Sequence, residues 1–464
     1  MGLSALAKQD RPHQYLDRQA PPIIQLSHKG YRSVTAIKAK RILFTVMPYE
    51  GEVQDRQTDK FFKNSAVKYM PLGVLSVGAC IPEGYEFAVL DPASRGLDLA
   101  ETIEEIEKFQ PDVLGLSVVT YRAWAMTQIL MKTSAPIKVV GGPHATFNSK
   151  TIREQGAHAV FVGDAERTFP TWLEDGCPSG IFNSQPVDLD TLPFPARHLL
   201  DLKDYEILPN KDMLFQVGHL RLPMYSSKGC PLSCIYCDVQ QKTFNFKSPE
   251  RCVEEFKELI DIGSTSIHIL DDAFNIQKER ISTMAKLIES EGISVDWSAR
   301  GTVETREEVM ADLGAGGCKR LHVGIEHLDD EVLAYFKKAQ RLSHIEKFCE
   351  LSDKNGIIIL GYFIIGAKME TEAYRRDLPR KIEELGIKLP FFNTLSPLAE
   401  TPYYYELLKD GSLDRDYWAE FIANPVKDFV MPSARTLEED TELQSVIDEY
   451  VAHFKRQDMP IFVS

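Results

Sequence analysis

The chain has 464 residues, a hydrophobic fraction of 44% and a formal net charge of −15. This length predicts two to four domains with sizeable cores, and the acidic balance argues against a nucleic-acid partner, because phosphate backbones favour an excess of Lys and Arg. The longest strongly apolar run, residues 357–367, is shorter than the ~20 residues that a membrane span needs, so we expect no span.

Residues 1–40 are predicted to be a polar N-terminal extension without the order of a secretory signal, so we expect a cytoplasmic protein with reduced cysteines. Apolar runs then alternate with helix-like segments at 73–80, 99–109 and 121–131. The runs are continuously apolar and do not alternate with polar residues, which is the pattern expected of strands buried on both faces. This pattern predicts an α/β domain over residues 41–182, with a doubly wound parallel (Rossmann-like) sheet and its ligand at the carboxyl ends of the strands. Its strands are expected at 42–47, 87–90, 113–118, 138–140 and 159–162.

Residues 183–220 interrupt this rhythm. Pro193 and Pro195 cannot continue a helix or a central strand, so we predict a linker. A second βα series over residues 221–400 predicts a partial (β/α)6 barrel with its active site at the C-terminal ends of the strands. Those strands are expected at 223–227, 266–270, 294–299, 320–325, 357–364 and 391–395.

Residues 401–464 are predicted to form a small helical cap, with helices at 403–409 and 437–456. The sequence leaves open whether this cap closes the barrel mouth or packs against the side of the barrel.

Three of the eight cysteines, Cys230, Cys234 and Cys237, have a C-x3-C-x2-C spacing after the first predicted barrel strand. Gly229 and Pro231 favour a tight loop on which three thiolates can converge, and thiolates are the ligands of iron–sulfur clusters. Structural zinc normally takes four ligands in paired motifs, and no second Cys/His pair follows at suitable spacing, so zinc or a chance triplet is the weaker alternative. Three protein ligands on a four-iron cluster leave one iron open to a small molecule, which indicates catalysis.

This motif, after the first strand of a six-unit α/β barrel, resembles the radical S-adenosylmethionine (SAM) superfamily. The resemblance implies a [4Fe–4S] cluster that binds SAM at its open iron and cleaves it to methionine and a 5′-deoxyadenosyl radical. It also implies SAM contacts from aromatic, acidic and basic side chains at the barrel strand ends. These residues are Tyr236, Asp271, Asp272, Arg300, Glu326 and Ile365.

Four short glycine-containing elements lie at predicted strand ends or helix starts of the first domain, at 69–73, 111–117, 141–146 and 163–168. Glycine permits close approach of the backbone to a bulky ligand. As an ordered set, these elements resemble the cobalamin-binding domain of cobalamin-dependent radical SAM enzymes. No Asp-x-His-x-x-Gly sequence occurs, so a histidine ligand to cobalt of that type is not expected. The resemblance implies cobalamin contacts at Pro71, Leu72, Gly73, Ser117, Thr120, Tyr121, Gly141, Gly142, His144, Gly163 and Glu166.

Together the two resemblances imply a C-methyltransferase that methylates an unactivated carbon through a 5′-deoxyadenosyl radical and methylcobalamin. A cyclase, ring-contracting enzyme or oxidoreductase without methyl transfer is an alternative within the family, and a cobalamin and iron–sulfur sensor is an alternative of another class. The expected partners are a small-molecule or protein side-chain substrate and an electron donor such as flavodoxin or ferredoxin.

Overall fold

The computed structural model of the protein describes residues 40–54, 68–184, 187–206, 220–239 and 243–455. Apart from Lys40, the predicted N-terminal extension lies outside the described residues. In the part of the chain that is described, no helix is both long and apolar enough to cross a membrane.

The first domain contains a parallel sheet with the strand order β2-β1-β3-β4-β5-β6 among the described residues. The strands are β1 Arg41–Val46, β2 Glu86–Leu90, β3 Val113–Ser117, β4 Ile137–Gly141, β5 Ala159–Val162 and β6 Gly180–Asn183. The five predicted strands are all present. The sixth was missed because this edge strand alternates between half-buried and exposed residues and so has no continuous apolar run.

Helices connect these strands and cover the sheet, which buries an aliphatic core. They are α1 Leu72–Ala79, α2 Pro92–Arg95, α3 Leu99–Phe109, α4 Ala123–Lys132, α5 Pro143–Glu154 and α6 Thr168–Glu174. Helix α3 shows why the chain becomes helical where it does. Asp98 and Glu101 form a capping box that satisfies two of the free N–H groups at its start.

The second domain contains an all-parallel sheet with the order β14-β13-β12-β11-β10-β7, so its two edges do not pair and the barrel is partial. The strands are β7 Arg221–Met224, β10 Ser266–Ile269, β11 Asp296–Gly301, β12 Cys318–Glu326, β13 Ile358–Ile365 and β14 Leu389–Thr394. Two short strands, β8 Ser227–Lys228 and β9 Asn245–Phe246, pair antiparallel and enclose the cysteine loop. All six predicted barrel strands are present, and the predicted α/β fold class is confirmed.

Helices pack on the outer face of the barrel sheet over a core of aliphatic and aromatic side chains. They are α7 Pro249–Asp261, α8 Lys278–Ser290, α9 Glu307–Ala315, α10 Asp330–Tyr335, α11 Leu342–Lys354 and α12 Glu372–Glu384.

The segment between the two sheets is held by buried polar contacts. Arg197 is 1% exposed and donates to Glu255 at 2.6 Å and to Glu258 at 3.0 Å, both on α7. Tyr205 donates a 2.6 Å hydrogen bond to Asp91, the N-cap of α2 in the first domain. The described part of the predicted linker is therefore packed against both domains.

The C-terminal region consists of α13 Pro402–Lys409, α14 Tyr417–Ala423 and α15 Leu437–Lys455, of which α14 was not predicted. Helix α15 packs on the side of the barrel, where the Tyr450 hydroxyl donates to the Arg375 carbonyl. Helices α13 and α14 instead contact the cysteine loop and the first domain: Tyr403 N–H donates to the Ile235 carbonyl at 2.9 Å, and Gln155 donates to the Ile422 carbonyl. The cap therefore packs on the side of the barrel through α15 and contacts the cysteine loop and the first domain through α13 and α14.

Candidate functional site

The carboxyl ends of the first sheet form a backbone-rich surface. Gly142 follows β4 with φ +89°, and a Cβ there would lie 2.9 Å from the backbone nitrogen and oxygen of Val118. Only glycine fits this position without strain. By contrast, a Cβ on Gly73 would meet no protein atom within 4 Å, so the chain leaves open space at that residue.

A cavity of about 620 Å³ lies at this surface and is lined by both domains. Eight residues predicted to contact cobalamin line it: Pro71, Leu72, Gly73, Ser117, Gly141, Gly142, Gly163 and Glu166. The opposite wall comes from the barrel, and includes Tyr225, Lys228, Leu270, Asp272 and Arg300. The strand ends of the two domains therefore face each other across one space, as ligand sites of parallel α/β folds do.

Three residues predicted to contact cobalamin lie behind this lining rather than on it. His144 is fully buried, and its Nδ1 lies 3.2 Å from the Thr120 hydroxyl. Burial lowers the pKa of His144 to about 4, so the imidazole is neutral at physiological pH, and its Nε2 has no hydrogen-bond partner among the residues that the structure describes. The ring of Tyr121 packs edge-on against Trp418 of the cap, 5.8 Å between centroids.

Lys228 crosses from the barrel wall to the first domain. Its Nζ lies 2.6 Å from Glu166 and 3.1 Å from Asp164, and the Glu166 side chain is only 2% exposed. Burial alone would lower the pKa of Lys228, but the two carboxylates outweigh it and hold the pKa above its ordinary value. This ion pair, which sequence analysis missed, ties the cysteine loop to the strand-end loop of the first domain.

The cysteine loop begins directly after Lys228. Cys230 and Cys234 are buried and Cys237 is half-buried. The loop is held at Ile235, whose N–H donates to the Phe336 carbonyl and whose carbonyl accepts from Tyr403. Within the described ranges, no three Cys, His, Asp or Glu side chains are gathered closely enough to hold a single metal ion.

The neighbours of the loop are aromatic and charged. Burial raises the pKa of Tyr236 well above its ordinary value, and the adjacent Glu326 carboxylate and Cys234 thiol raise it further. Glu326, at φ +64°, ends β12 and forms a 2.9 Å ion pair with Lys338. Burial opposes the charge on Lys338, but Glu326 and the thiols of Cys234 and Cys237 raise its pKa overall. A cation therefore stands beside two of the three thiols, where it stabilises thiolates.

The two consecutive aspartates after β10 have different environments. Asp271 is fully buried and accepts hydrogen bonds from Ser226 N–H at 2.7 Å, the Ser226 hydroxyl at 2.5 Å and the Ser227 hydroxyl at 2.6 Å. Burial raises the pKa of Asp271, although these hydrogen bonds act to lower it. Asp272 instead lines the cavity. Asp271 thus fixes the chain ahead of the cysteine loop, and Asp272 is the carboxylate that faces the ligand space.

The two remaining residues predicted to contact SAM lie at the ends of neighbouring barrel strands. Arg300 lines the cavity, and its buried Nε has no hydrogen-bond partner within the described ranges. Ile365 ends β13 and is fully buried in the barrel core.

Sequence analysis also missed a polar cluster on the inner face of the barrel. It consists of side chains on five neighbouring strands, β7 and β10 to β13, and the sequence signal was the alternation of polar residues, as in Arg-x-His along β12. The cluster residues are Arg221, His268, Ser298, Arg320, His322 and Tyr362.

Sequence comparisons agree with this architecture. The B12 binding domain family matches residues 61–173 and the Radical SAM superfamily matches residues 224–382. The fold and the site thus define a two-domain α/β enzyme that joins a B12-binding domain to a radical SAM barrel. The chain belongs to the cobalamin-dependent radical SAM enzyme family, and its sequence relatives are named methyltransferases.

Among these relatives is an uncharacterized methyltransferase of Pyrococcus horikoshii, 27% identical over 76% of this chain and 81% of its own. The bacteriochlorophyllide d C-12(1)-methyltransferase of Chlorobaculum tepidum is 24% identical over 76% of this chain and 77% of its own. Two solved structures share the fold. The methyltransferase TsrM of Kitasatospora setae, with cobalamin and a [4Fe–4S] cluster bound, has a TM-score of 0.60 at 16% identity, covering 80% of this chain and 78% of its own. The cobalamin-dependent SAM radical enzyme OxsB has a TM-score of 0.60 at 14% identity, covering 89% and 62%.

The two matched domains define the cofactors as cobalamin, a [4Fe–4S] cluster and SAM. The side chains fit these groups. The first domain offers a glycine-lined space that would admit a bulky ligand, and the barrel wall offers an unpartnered guanidinium nitrogen on Arg300. Three cysteines on one loop, two of them buried, match the ligand chemistry of an iron–sulfur cluster.

Proposed function

We propose that the protein is a C-methyltransferase that transfers a methyl group to an unactivated carbon. The observation that carries the proposal is the single cavity lined by Gly73 and Gly142 on one side and by Asp272 and Arg300 on the other. Two cofactors bound in their own domains would share this space with an acceptor. Methyl transfer between them requires such proximity.

When bound, the cluster and SAM supply a 5′-deoxyadenosyl radical that removes hydrogen from the acceptor carbon, and cobalamin supplies the methyl group. The chain positions and shields these groups. Lys228 and Glu166 hold the two walls at a fixed separation. The C-terminal cap packs on Ile235 of the cysteine loop and holds the loop in place.

We infer that Cys230, Cys234 and Cys237 ligate the cluster, and that Asp272 and Arg300 meet the amine and carboxylate of SAM. Opposite charges at these two positions match the two charges of the methionyl group. Tyr236 and Glu326, which lie against each other beside Cys234, are assigned to the adenine and ribose.

The cluster assignment is tested by replacing all three loop cysteines with alanine. Anaerobically reconstituted wild type should carry about four irons per chain, and the triple variant should lose them together with 5′-deoxyadenosine formation. Cys252→Ala is the matched control, because Cys252 is a fully buried thiol on α7 outside the loop. Full retention of iron in the triple variant would overturn the assignment.

The reaction is tested by counting products per turnover. Carbon methylation should give about one S-adenosylhomocysteine and one 5′-deoxyadenosine per methylated product, and deuterium at the attacked carbon should appear in 5′-deoxyadenosine. 5′-Deoxyadenosine without methylated product would indicate a cyclase, ring contraction or oxidoreductase instead. S-adenosylhomocysteine alone would indicate polar methyl transfer, and no cleavage of SAM under reduction would indicate a sensor.

We also propose a cytoplasmic location and an electron donor such as flavodoxin or ferredoxin, because the cluster must be reduced in a reducing compartment. The proposed acceptor is a small molecule or a protein side chain. Pull-down of a flavodoxin by the cluster-loaded protein, with 5′-deoxyadenosine formation dependent on it, is the corresponding test.

A further inference from the structure

The polar cluster lies on the concave face of the barrel. The rings of His268 on β10 and His322 on β12 have centroids 4.7 Å apart, although β11 runs between their strands. Strands separated by another strand are roughly 10 Å apart, so only curvature toward a common interior brings these rings together. His268 is 1% exposed and His322 is 5% exposed. The cluster is therefore an interior wall and not a surface feature.

The hydrogen bonds around His268 suit a ring that carries its proton on Nε2. Ser298 Oγ accepts a 2.8 Å bond from Arg221 Nη2 and lies 2.8 Å from His268 Nδ1. Arginine can only donate, so the serine hydroxyl accepts from Arg221, and its own proton is available to Nδ1. The imidazole proton of His268 then sits on Nε2, a buried donor that has no partner among the described residues.

His322 repeats the arrangement on the next strand but one. Its Nδ1 lies 3.4 Å from the Tyr362 hydroxyl, which can donate to it, and its Nε2 is likewise buried without a partner in the described part of the chain. Burial, followed by the nearby arginines, lowers the pKa of both histidines well below the ordinary value. Each ring is thus neutral and presents one N–H to the interior.

Three guanidinium groups add positive charge to these N–H donors. Arg221, Arg300 and Arg320 all act electrostatically on both His268 and His322. The titratable groups that act most strongly on the two rings are all basic. The ligand that satisfies such a wall is one that only accepts hydrogen bonds and carries negative charge.

We propose that this cluster binds an oxyanion of the methyl acceptor, a carboxylate or a phosphoryl group, inside the barrel. That the bound oxyanion belongs to the methyl acceptor rests on the proposed function. It narrows the substrate class to organic anions and gives His268 and His322 the role of substrate-binding donors.

The cluster lies next to residues that line the cofactor cavity. Arg300 lines that cavity, two residues beyond Ser298 toward the carboxyl end of β11. Tyr69 of the first domain also lines it, and its ring centroid is 6.0 Å from that of His268. An acceptor anchored by its anionic end at the histidines would extend past Arg300 toward the space between the two cofactor walls.

The test uses inorganic phosphate and acetate as probes of the cobalamin- and cluster-loaded protein. The cluster stays oxidised and SAM is saturating, so that SAM is present but not cleaved. Titration calorimetry should show one phosphate or acetate site per chain. Arg320→Met and His322→Phe should each weaken binding of the preferred probe by about tenfold or more, because each removes a donor to a buried charge.

Two further variants guard against misfolding. Arg320→Lys keeps the charge and should restore part of the affinity, and Arg376→Met, on the exposed face of α12, should leave it unchanged. Cobalamin content and iron content are measured on every sample to confirm that the fold is retained.

Preference for phosphate over acetate would identify a phosphoryl group, and the reverse would identify a carboxylate. Probe binding that is seen without SAM and lost when SAM is saturating would assign the cluster to SAM and overturn the inference. Absence of any probe binding, or binding that Arg320→Met and His322→Phe leave intact, would also overturn it. A methylation assay on the same samples separates the two proposals: an anion site without a methylated product refutes only the reaction, and methylation without an anion site refutes only this inference.

Discussion

The ion pair between Lys228 and the first domain should dominate the stability of the domain interface. Replacing Lys228 with methionine leaves the Glu166 carboxylate, 2% exposed, without its cation. Breaking a buried pair in this way costs about 3–5 kcal/mol. We expect the lower end, about 3 kcal/mol, because the Lys228 side chain is 16% exposed and the Asp164 side chain is 28% exposed, which admits water to part of the network.

The assay is urea unfolding of the cofactor-loaded protein, followed by circular dichroism. The double variant Lys228→Met/Glu166→Gln should recover about half of the loss, because the buried charge is no longer stranded. Lys286→Met is the matched control. Lys286 pairs with Asp312 at 2.9 Å but is 62% exposed, so its removal should cost less than about 1 kcal/mol.

Two results would refute this reasoning. One is a loss in Lys228→Met no larger than that in Lys286→Met. The other is a double variant as unstable as the single one, which would mean that lost packing and not a stranded carboxylate causes the effect. A transition that separates into two steps in Lys228→Met alone would agree with the argument, since it would report uncoupling of the domains.

Three other predictions separate structural from ligand-binding roles. Gly73→Ala should raise the free energy of unfolding by up to about 1 kcal/mol, because alanine favours a helix more than glycine does. It should nevertheless weaken cobalamin binding in an equilibrium titration, because the new methyl group enters the cavity. Unchanged cobalamin affinity would place cobalamin elsewhere. Asp271→Asn should lower the free energy of unfolding by about 1–3 kcal/mol, because it disturbs three hydrogen bonds. Asp272→Asn should change stability by no more than about 0.5 kcal/mol and should weaken SAM binding. Equal effects of the two variants on stability would contradict the separate roles given to Asp271 and Asp272. The pKa of His144 is about 4 in the folded protein. Its contribution to folding stability should be complete above about pH 6.5, and the protein should lose up to about 3 kcal/mol of that stability as the pH falls toward 4, because only the unfolded chain takes up the proton in this range. His144→Gln should flatten that dependence and the exposed control His198→Gln should not; a steep profile in both would point to other groups.

The strands were predictable where they are buried on both faces, because continuous apolar runs are a local signal. Edge strand β6 has no such run, and helix α14 is too short to show a clear period. Bounds elsewhere differ by a few residues, as between the predicted first barrel strand at 223–227 and β7 at Arg221–Met224, since strand ends depend on hydrogen bonds to neighbouring strands.

Spacing along the chain was enough to identify Cys230, Cys234 and Cys237 as a single group, and the order of the glycine motifs was enough to indicate the first domain. Both are local properties, because the ligands of one loop and the turns after one strand are specified within a few residues. Only the tertiary structure distinguished Asp271 from Asp272, since adjacent side chains of an extended chain point to opposite sides. It alone brought Lys228 to Glu166 and His268 to His322, because docking of the domains and curvature of the barrel, and no nearby sequence, decide which distant residues meet.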